Sequence, residues 1–167
     1  MGGDNENVFE DFINSVISQA LKHVPFDGWS NQTLKKVCQE LNIPTNKLYQ
    51  MFPRGGVDLA IAFHARDDSR FLEQFLADIA DQPGRRVRDS IKIALISRLD
   101  VAAENKEAVK RSMSLLTSPL YVSDGIRALW NTCDKIWSAI EDDSKDFNWY
   151  SKRLILSSVY SATLIFW

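Results

Sequence analysis

The amino-acid sequence predicts an all-α protein with a helix-turn-helix-like N-terminal subdomain, residues 1–56, and a larger helical bundle, residues 57–167. Apolar residues recur at three- and four-residue steps along most of the chain, as they do on the buried face of a helix. No alternation of apolar and polar residues bounded by turn residues persists, which argues against strands. Prolines and glycines divide the pattern into helices of ordinary length.

Three helices are predicted in the first subdomain, at residues 8–24, 30–41 and 44–52. A proline and a glycine end the first helix at positions 25 and 28. Ser30 is a typical N-cap of the second, because its hydroxyl can accept a hydrogen bond from a free backbone amide. Pro53 stops the third, since proline disfavours helical geometry in the residue before it.

Longer helices are predicted after the turn at Gly55-Gly56. Their expected bounds are residues 57–81, 85–103, 106–117, 121–140 and 148–167. Pro83-Gly84, Ser118-Pro119 and an acidic turn at residues 141–146 separate them.

Composition narrows the classes of function. The hydrophobic fraction of 45% and the charged fraction of 25% are ordinary for a globular protein, and a net charge of −2 argues against a general binder of polyanions. Cys38 and Cys133 lie far apart within helical patterns, so neither a disulfide framework nor a thiolate metal site is expected. No run of eighteen apolar residues and no secretory signal pattern occur.

The sequence offers no catalytic, metal-binding or phosphate-binding motif. His23 and His64 lack a metal-ligand partner at helical spacing, and neither a phosphate-binding glycine loop nor a nucleophile elbow is present. The neighbouring carboxylates Asp67-Asp68 are interpreted as part of a solvated helix face. We therefore predict a non-enzymatic protein without a metal or a cofactor.

Aromatic and aliphatic residues are abundant in the predicted bundle, and two interpretations stay open. They form a solid core, or they enclose an apolar cavity between helices that binds a lipid. Ten residues are the candidate pocket lining: Phe63, Phe71, Phe75, Ile91, Leu95, Leu115, Trp130, Trp137, Leu156 and Tyr160.

Small residues on the last helix, Ser157, Ser158, Ser161 and Ala162, would let another helix approach closely. They predict a homodimer seam or, equally well, packing within the chain. The apolar pattern of residues 154–167 stops without a glycine, an asparagine or a basic last turn, so we expect the full protein to continue beyond Trp167.

The pattern from Gly28-Trp29-Ser30 through Leu48-Tyr49 and Phe52-Pro53 to Asp58-Leu59 resembles the TetR family of helix-turn-helix regulators. That resemblance implies a helical ligand-binding bundle that dimerises through its last helices. DNA-reading domains carry a basic face, because neutralising phosphates supplies much of their affinity. Residues 1–57 contain five bases and six acids, so we expect no binding to nucleic acid. A ligand-responsive repressor is the alternative function.

The second half of the chain changes the interpretation. The run from Asp146 to Leu156, with Tyr160-Ser161-Ala162-Thr163 after it and Trp137 before it, resembles the ubiquinone-biosynthesis accessory family called coenzyme Q biosynthesis protein nine. This resemblance spans about residues 8–167, and its Asp-Phe-Asn-Trp-Tyr core is specific. It implies a TetR-like fold that no longer binds DNA, binds an isoprenoid quinone intermediate or another lipid, and assists the di-iron demethoxyubiquinone hydroxylase.

The same resemblance implies a partner-binding surface and a location. Carried over residue by residue, Trp149, Tyr150 and Arg153 would belong to the surface that binds the hydroxylase. These residue types dominate interface hot spots, although Trp149 could instead pack into the bundle. The family implies contact with a peripheral membrane surface through a further C-terminal helix. The location would be the bacterial cytoplasm at the inner membrane or the matrix side of the mitochondrial inner membrane, and the lack of a transit peptide favours the bacterium.

Overall fold

The computed structural model describes residues 3–80, 84–140 and 147–167, with side chains from residue 8 and, in the last segment, from residue 148. The helices in these segments are α1 (Gly3–Ala20), α2 (Val24–Asp27), α3 (Asn31–Glu40), α4 (Thr45–Met51), α5 (Gly56–Ala80), α6 (Val87–Ala103), α7 (Lys106–Leu116), α8 (Val122–Ala139) and α9 (Phe147–Phe166). The described segments contain no strand, and the all-α prediction is confirmed. The likeness to the TetR fold stays a prediction.

The helix-turn-helix-like part follows the local signals in the sequence. Ser30 caps α3, and its hydroxyl accepts a hydrogen bond from the Thr33 amide at 3.3 Å. Helix α4 ends at Phe52, the residue before the proline. Helix α3 packs against both α1 and α4, as expected for this motif.

The prediction of a single first helix is wrong, because two helices, α1 and α2, occupy that part of the chain. Helix α1 ends at Ala20, and the amides of Lys22 and His23 bond to carbonyls three residues back, which tightens the chain into a turn. The separate short helix α2 carries Pro25 in its first turn, where proline's missing amide costs little.

The chain divides into two compact units, each made of two segments. Unit 1 comprises residues 1–66 and 105–122, and unit 2 comprises residues 67–104 and 123–167. This division differs from the predicted one at residue 56. The start of α5 belongs to unit 1 because its buried Phe63 packs on Trp29, with ring centroids 5.1 Å apart, and Trp29 donates a hydrogen bond to the Ala108 carbonyl of α7 at 2.9 Å.

The core of unit 2 lies among α5, α6, α8 and α9. Its fully or nearly buried members include Phe71, Ala94, Cys133, Ile136 and Leu156. None of the helices in the described segments is both long and apolar enough to cross a bilayer.

Candidate functional site

Seven of the ten predicted pocket residues gather in the apolar core of unit 2. Phe71, Phe75, Trp137, Leu156 and Tyr160 are buried members of one cluster. Ile91 and Leu95 are half-buried and pack against it. These contacts are those of a packed core, the first of the two interpretations that the sequence left open.

The other three predicted pocket residues lie elsewhere. Phe63 and Leu115 are in unit 1, the former fully buried and the latter half-buried. Trp130 is half-buried on α8, and its ring centroid lies 6.0 Å from that of Trp149. Their shared apolar character had suggested one pocket, but the fold distributes them over separate places.

A buried polar cluster lies in the core of unit 2, and the sequence interpretation missed it. Asp68 is only 3% exposed. Its carboxylate accepts hydrogen bonds from Arg98 Nε at 2.9 Å and from the Thr132 hydroxyl at 2.9 and 3.1 Å. The Lys135 ammonium lies 3.9 Å away. The prediction that Asp67 and Asp68 belong to a solvated face is wrong, since α5 turns both carboxylates inward.

Burial also sets the ionisation of groups around this cluster. Burial raises the pKa of Asp68, against the opposing effects of Arg98, Lys135 and Thr132. It raises the pKa of Tyr160 to about 12 and that of the Cys133 thiol to about 11. Such a thiol stays protonated near neutral pH, so it is a poor nucleophile.

The aromatic start of α9 forms a surface patch with Trp130 of α8, here called the aromatic patch and defined as Trp130, Trp149 and Tyr150. Tyr150 is 63% exposed, and Trp149 is half-buried. The rings of Trp149 and Tyr150 meet edge to face, with centroids 4.7 Å apart. Two large rings with polar edges are thereby held in fixed positions at the surface.

Arg153 lies under the aromatic patch and not on its outside. Only 2% of it is exposed, so Arg153 is not itself on the exposed partner-binding surface to which the resemblance assigned it. Its guanidinium carbon lies 3.8 Å from the centroid of the Trp149 ring, and its Nη1 donates to the Trp149 carbonyl at 3.1 Å. Its Nε donates to Asp134 Oδ1 of α8 at 2.5 Å. The guanidinium therefore joins α8 to the first turns of α9 and orients Trp149, because the two planar groups stack.

The predicted dimer seam is divided between the inside and the outside of α9. Ser157 is buried, Ser161 is half-buried, and Ser158 and Ala162 are exposed. Packing within the chain therefore accounts for Ser157, and a homodimer stays a prediction.

Unit 1 contains an apolar groove of about 630 Å³ that no predicted pocket residue lines. Its walls include Phe9, Ile13, Phe52 and Ile61, and the ion pair of Arg54 and Asp58 lies at its edge. The hydrophobic pattern of the sequence does not reveal such a groove, because its lining comes from α1, residues 51–54 and α5, which are separated along the chain.

The two histidines take part in ordinary polar contacts. His23 Nε2 lies 2.9 Å from Glu40 Oε2, and His64 Nε2 lies 2.8 Å from the Ser112 hydroxyl. That hydroxyl also donates to the Val109 carbonyl at 2.7 Å, so its proton is directed away from the histidine. Across the described part of the chain, no three histidine, cysteine, aspartate or glutamate side chains are grouped as metal ligands would be.

Comparison with known proteins supports the interpretation of the second half of the chain. The COQ9 family model matches residues 122–167, which span α8 and α9 with the whole aromatic patch. The chain is also 26% identical to the mitochondrial ubiquinone biosynthesis protein COQ9 of Homo sapiens, over 97% of this chain and 53% of that protein. The resemblance to the COQ9 family is confirmed.

Two further COQ9 relatives come from other eukaryotic groups. Identity is 27% to the Drosophila melanogaster protein, over 90% of this chain and 47% of that protein. It is 28% to the Schizosaccharomyces pombe protein, over 90% of this chain and 59% of that protein. All three relatives are named as mitochondrial. The chain thus spans about half the length of the curated COQ9 proteins it matches.

Proposed function

We propose that this chain is a non-enzymatic accessory protein of ubiquinone biosynthesis, which binds an isoprenoid quinone intermediate or lipid and presents it to the demethoxyubiquinone hydroxylase. The observation that carries the proposal is the coincidence of the COQ9 family match with α8 and α9, the helices that hold the aromatic patch. The names of the relatives supply the pathway. The named location of those relatives supports a place in the mitochondrion, at the matrix side of the inner membrane.

The aromatic patch has the chemistry of a protein-docking surface. Interface hot spots are enriched in tryptophan, tyrosine and arginine, which bury large areas while retaining polar atoms. Tyr150 is exposed, and Arg153 fixes the orientation of Trp149 from below. A preorganised pair of aromatic rings loses little conformational entropy on binding, which favours affinity.

The lipid component of the proposal rests on the resemblance to the COQ9 family and on the apolar character of unit 2, where seven of the candidate pocket residues pack together. An isoprenoid chain is itself apolar and would replace contacts of the same kind between α5, α6, α8 and α9. A homodimer and contact with a peripheral membrane surface complete the proposal, with no nucleic acid as a partner.

The docking surface is tested by replacing Tyr150 with alanine and measuring affinity for the purified hydroxylase. We expect affinity to fall by about 2 kcal/mol, the usual size for a hot spot, with little change in unfolding free energy because the side chain is exposed. Trp149→Ala should reduce affinity as well. Phe26→Ala is the matched control, since Phe26 is an aromatic residue of unit 1 and is 83% exposed. Unchanged hydroxylase affinity in both patch variants would remove this surface from the proposal.

Lipid binding is tested by mass spectrometry of organic extracts from the purified protein. We expect a co-purified isoprenoid quinone or phospholipid, and addition of the same molecule should raise the melting temperature, because a ligand of the native state stabilises it. A lipid-free extract together with an unchanged melting temperature would contradict this component and leave the docking surface untouched.

A further inference from the structure

The start of α6 gathers basic residues in a chain that is acidic overall. Residues 84–96 contain Arg85, Arg86, Arg88 and Lys92 against the single acid Asp89, whereas the net charge of the whole chain is −2. The remainder of the chain is therefore more acidic than its total charge indicates. We call the exposed bases Arg86, Arg88 and Lys92, together with the exposed Ile96, the basic face of α6.

The bases of this face lack close carboxylate partners among the described residues, unlike the bases whose ion pairs stabilise the fold. Arg86 and Lys92 are exposed and form no ion pair with any residue in the described ranges. The Arg88 side chain is 75% exposed, and its nearest carboxylate oxygen, on Asp89, is 3.6 Å away. By contrast, the ion pairs of Lys36, Arg54, Arg70, Arg98 and Arg153 have separations from 2.5 to 2.9 Å.

The position of these bases at the amino end of α6 does not stabilise the helix. The amino end of a helix carries a partial positive charge, so arginines there are repelled by the helix dipole. The terminal nitrogens of half-buried Arg85 are enclosed within the chain, so this arginine is not part of the exposed surface. An anionic partner would relieve the repulsion between the exposed bases and the dipole, because its charge is attracted by both.

An exposed aliphatic side chain accompanies the charges. Ile96 is 47% exposed, whereas Val87, 54% exposed, lies on the opposite side of the helix. Arg88, Lys92 and Ile96 follow at four-residue spacing, so they lie on one face of α6. Bases that precede an exposed aliphatic residue on one helix face fit the headgroup region of an anionic bilayer, where the charges meet phosphates and the aliphatic group enters the acyl boundary. Residues 84–103 contain no aromatic side chain on which a nucleic-acid base could stack.

We propose that the basic face of α6 docks this protein on the surface of an anionic phospholipid bilayer. The inference deepens the membrane contact within the proposed function, because it names the surface of this chain that makes the contact. Each base near such a surface strengthens binding by roughly fivefold, and the attraction falls with salt. Ile96 would add a component that salt does not screen.

The test measures co-sedimentation of the full chain with vesicles of phosphatidylcholine, alone or mixed with phosphatidylglycerol. We expect binding only to the mixed vesicles, and weaker binding at high salt. The variant Arg86→Gln/Arg88→Gln/Lys92→Gln should lose about a hundredfold in affinity. The matched control Lys35→Gln/Lys110→Gln/Arg127→Gln changes the net charge equally at exposed positions elsewhere and should lose less than about threefold. Circular dichroism and melting temperature report folding of both variants.

Three outcomes would overturn the inference. Equal binding to both kinds of vesicle would remove the electrostatic basis. Equal losses in the two triple variants would show that net charge matters and that the face of α6 does not. Loss of hydroxylase affinity in the α6 variant with unchanged vesicle binding would make this face a docking surface for an acidic protein. None of these outcomes changes the result of the Tyr150→Ala experiment or of the lipid extraction. The hydroxylase-docking and lipid-binding components of the proposed function are therefore tested separately.

Discussion

Two arginines of unit 2 are almost completely buried, yet their surroundings give them different tasks. Each is 2% exposed, and each pairs with an aspartate on another helix. The partner of Arg98 is Asp68, whose side chain is 4% exposed, so the whole pair is enclosed. The partner of Arg153 is Asp134, whose side chain is 41% exposed, and the Arg153 guanidinium stacks on half-buried Trp149.

The difference shows that burial alone does not reveal the role of an arginine. Enclosing two charges costs free energy that their attraction only partly recovers. Removing either Arg98 or Asp68 would leave the other charge buried without its partner, which strongly lowers the free energy of unfolding. Asp68 of α5 also accepts a hydrogen bond from Thr132 of α8, so the pair joins α5, α6 and α8 at one point. The Arg153 pair reaches solvent through its carboxylate, and its main effect is on the position of a surface ring.

The largest expected effect is that of Arg98→Ala. This change leaves the Asp68 carboxylate buried without its main counter-charge, which should lower the free energy of unfolding by about 3–5 kcal/mol. Denaturant unfolding measures the loss. The double variant Asp68→Asn/Arg98→Met removes both charges and should recover part of it. A single variant as stable as the unmodified chain would show that the enclosed pair does not hold the core together.

The second expected effect concerns alkaline pH. Burial raises the pKa of Tyr160 to about 12 from its ordinary value of 10.0, so between these values the folded chain retains a proton that the unfolded chain releases. Stability from this group is therefore present below pH 10 and falls as the pH rises towards 12. Tyr160→Phe should reduce the alkaline loss of unfolding free energy by about 2 kcal/mol, measured by denaturant unfolding as a function of pH. Identical pH profiles for the two proteins would contradict the raised pKa.

The helices could be predicted from the sequence because their signals are local. Ser30 identified the start of α3, and Pro53 identified the end of α4. The break between α1 and α2 was missed, since the apolar repeat continues through residues 21–23. Local periodicity therefore places most helices and overlooks a turn that keeps the same pattern.

The polar cluster and the role of Arg153 could not be predicted in the same way. Asp68 meets Thr132 across 64 residues of sequence, and no local pattern carries that contact. The sequence contains one signal of the cluster: Asp67 and Asp68 lie between Phe63 and Phe71, two members of the apolar stripe of α5. The residue types at the start of α9 did indicate the aromatic patch, whereas the inward direction of Arg153 depends on how α8 and α9 pack.

The smallest expected effect on stability is that of Arg153→Ala, and it tests the comparison most directly. Asp134 can be hydrated when its partner is lost, so the variant should lose only about 1–2 kcal/mol of unfolding free energy, from one charge-assisted hydrogen bond and one stacking contact. Hydroxylase affinity should nevertheless fall, because Trp149 is no longer held in position. Asp134→Asn is the matched control: it keeps the guanidinium on Trp149, so affinity should change less than in Arg153→Ala. The comparison would be contradicted if Arg153→Ala lowered the free energy of unfolding as much as Arg98→Ala does and left hydroxylase affinity unchanged. Both arginines would then have the same structural role.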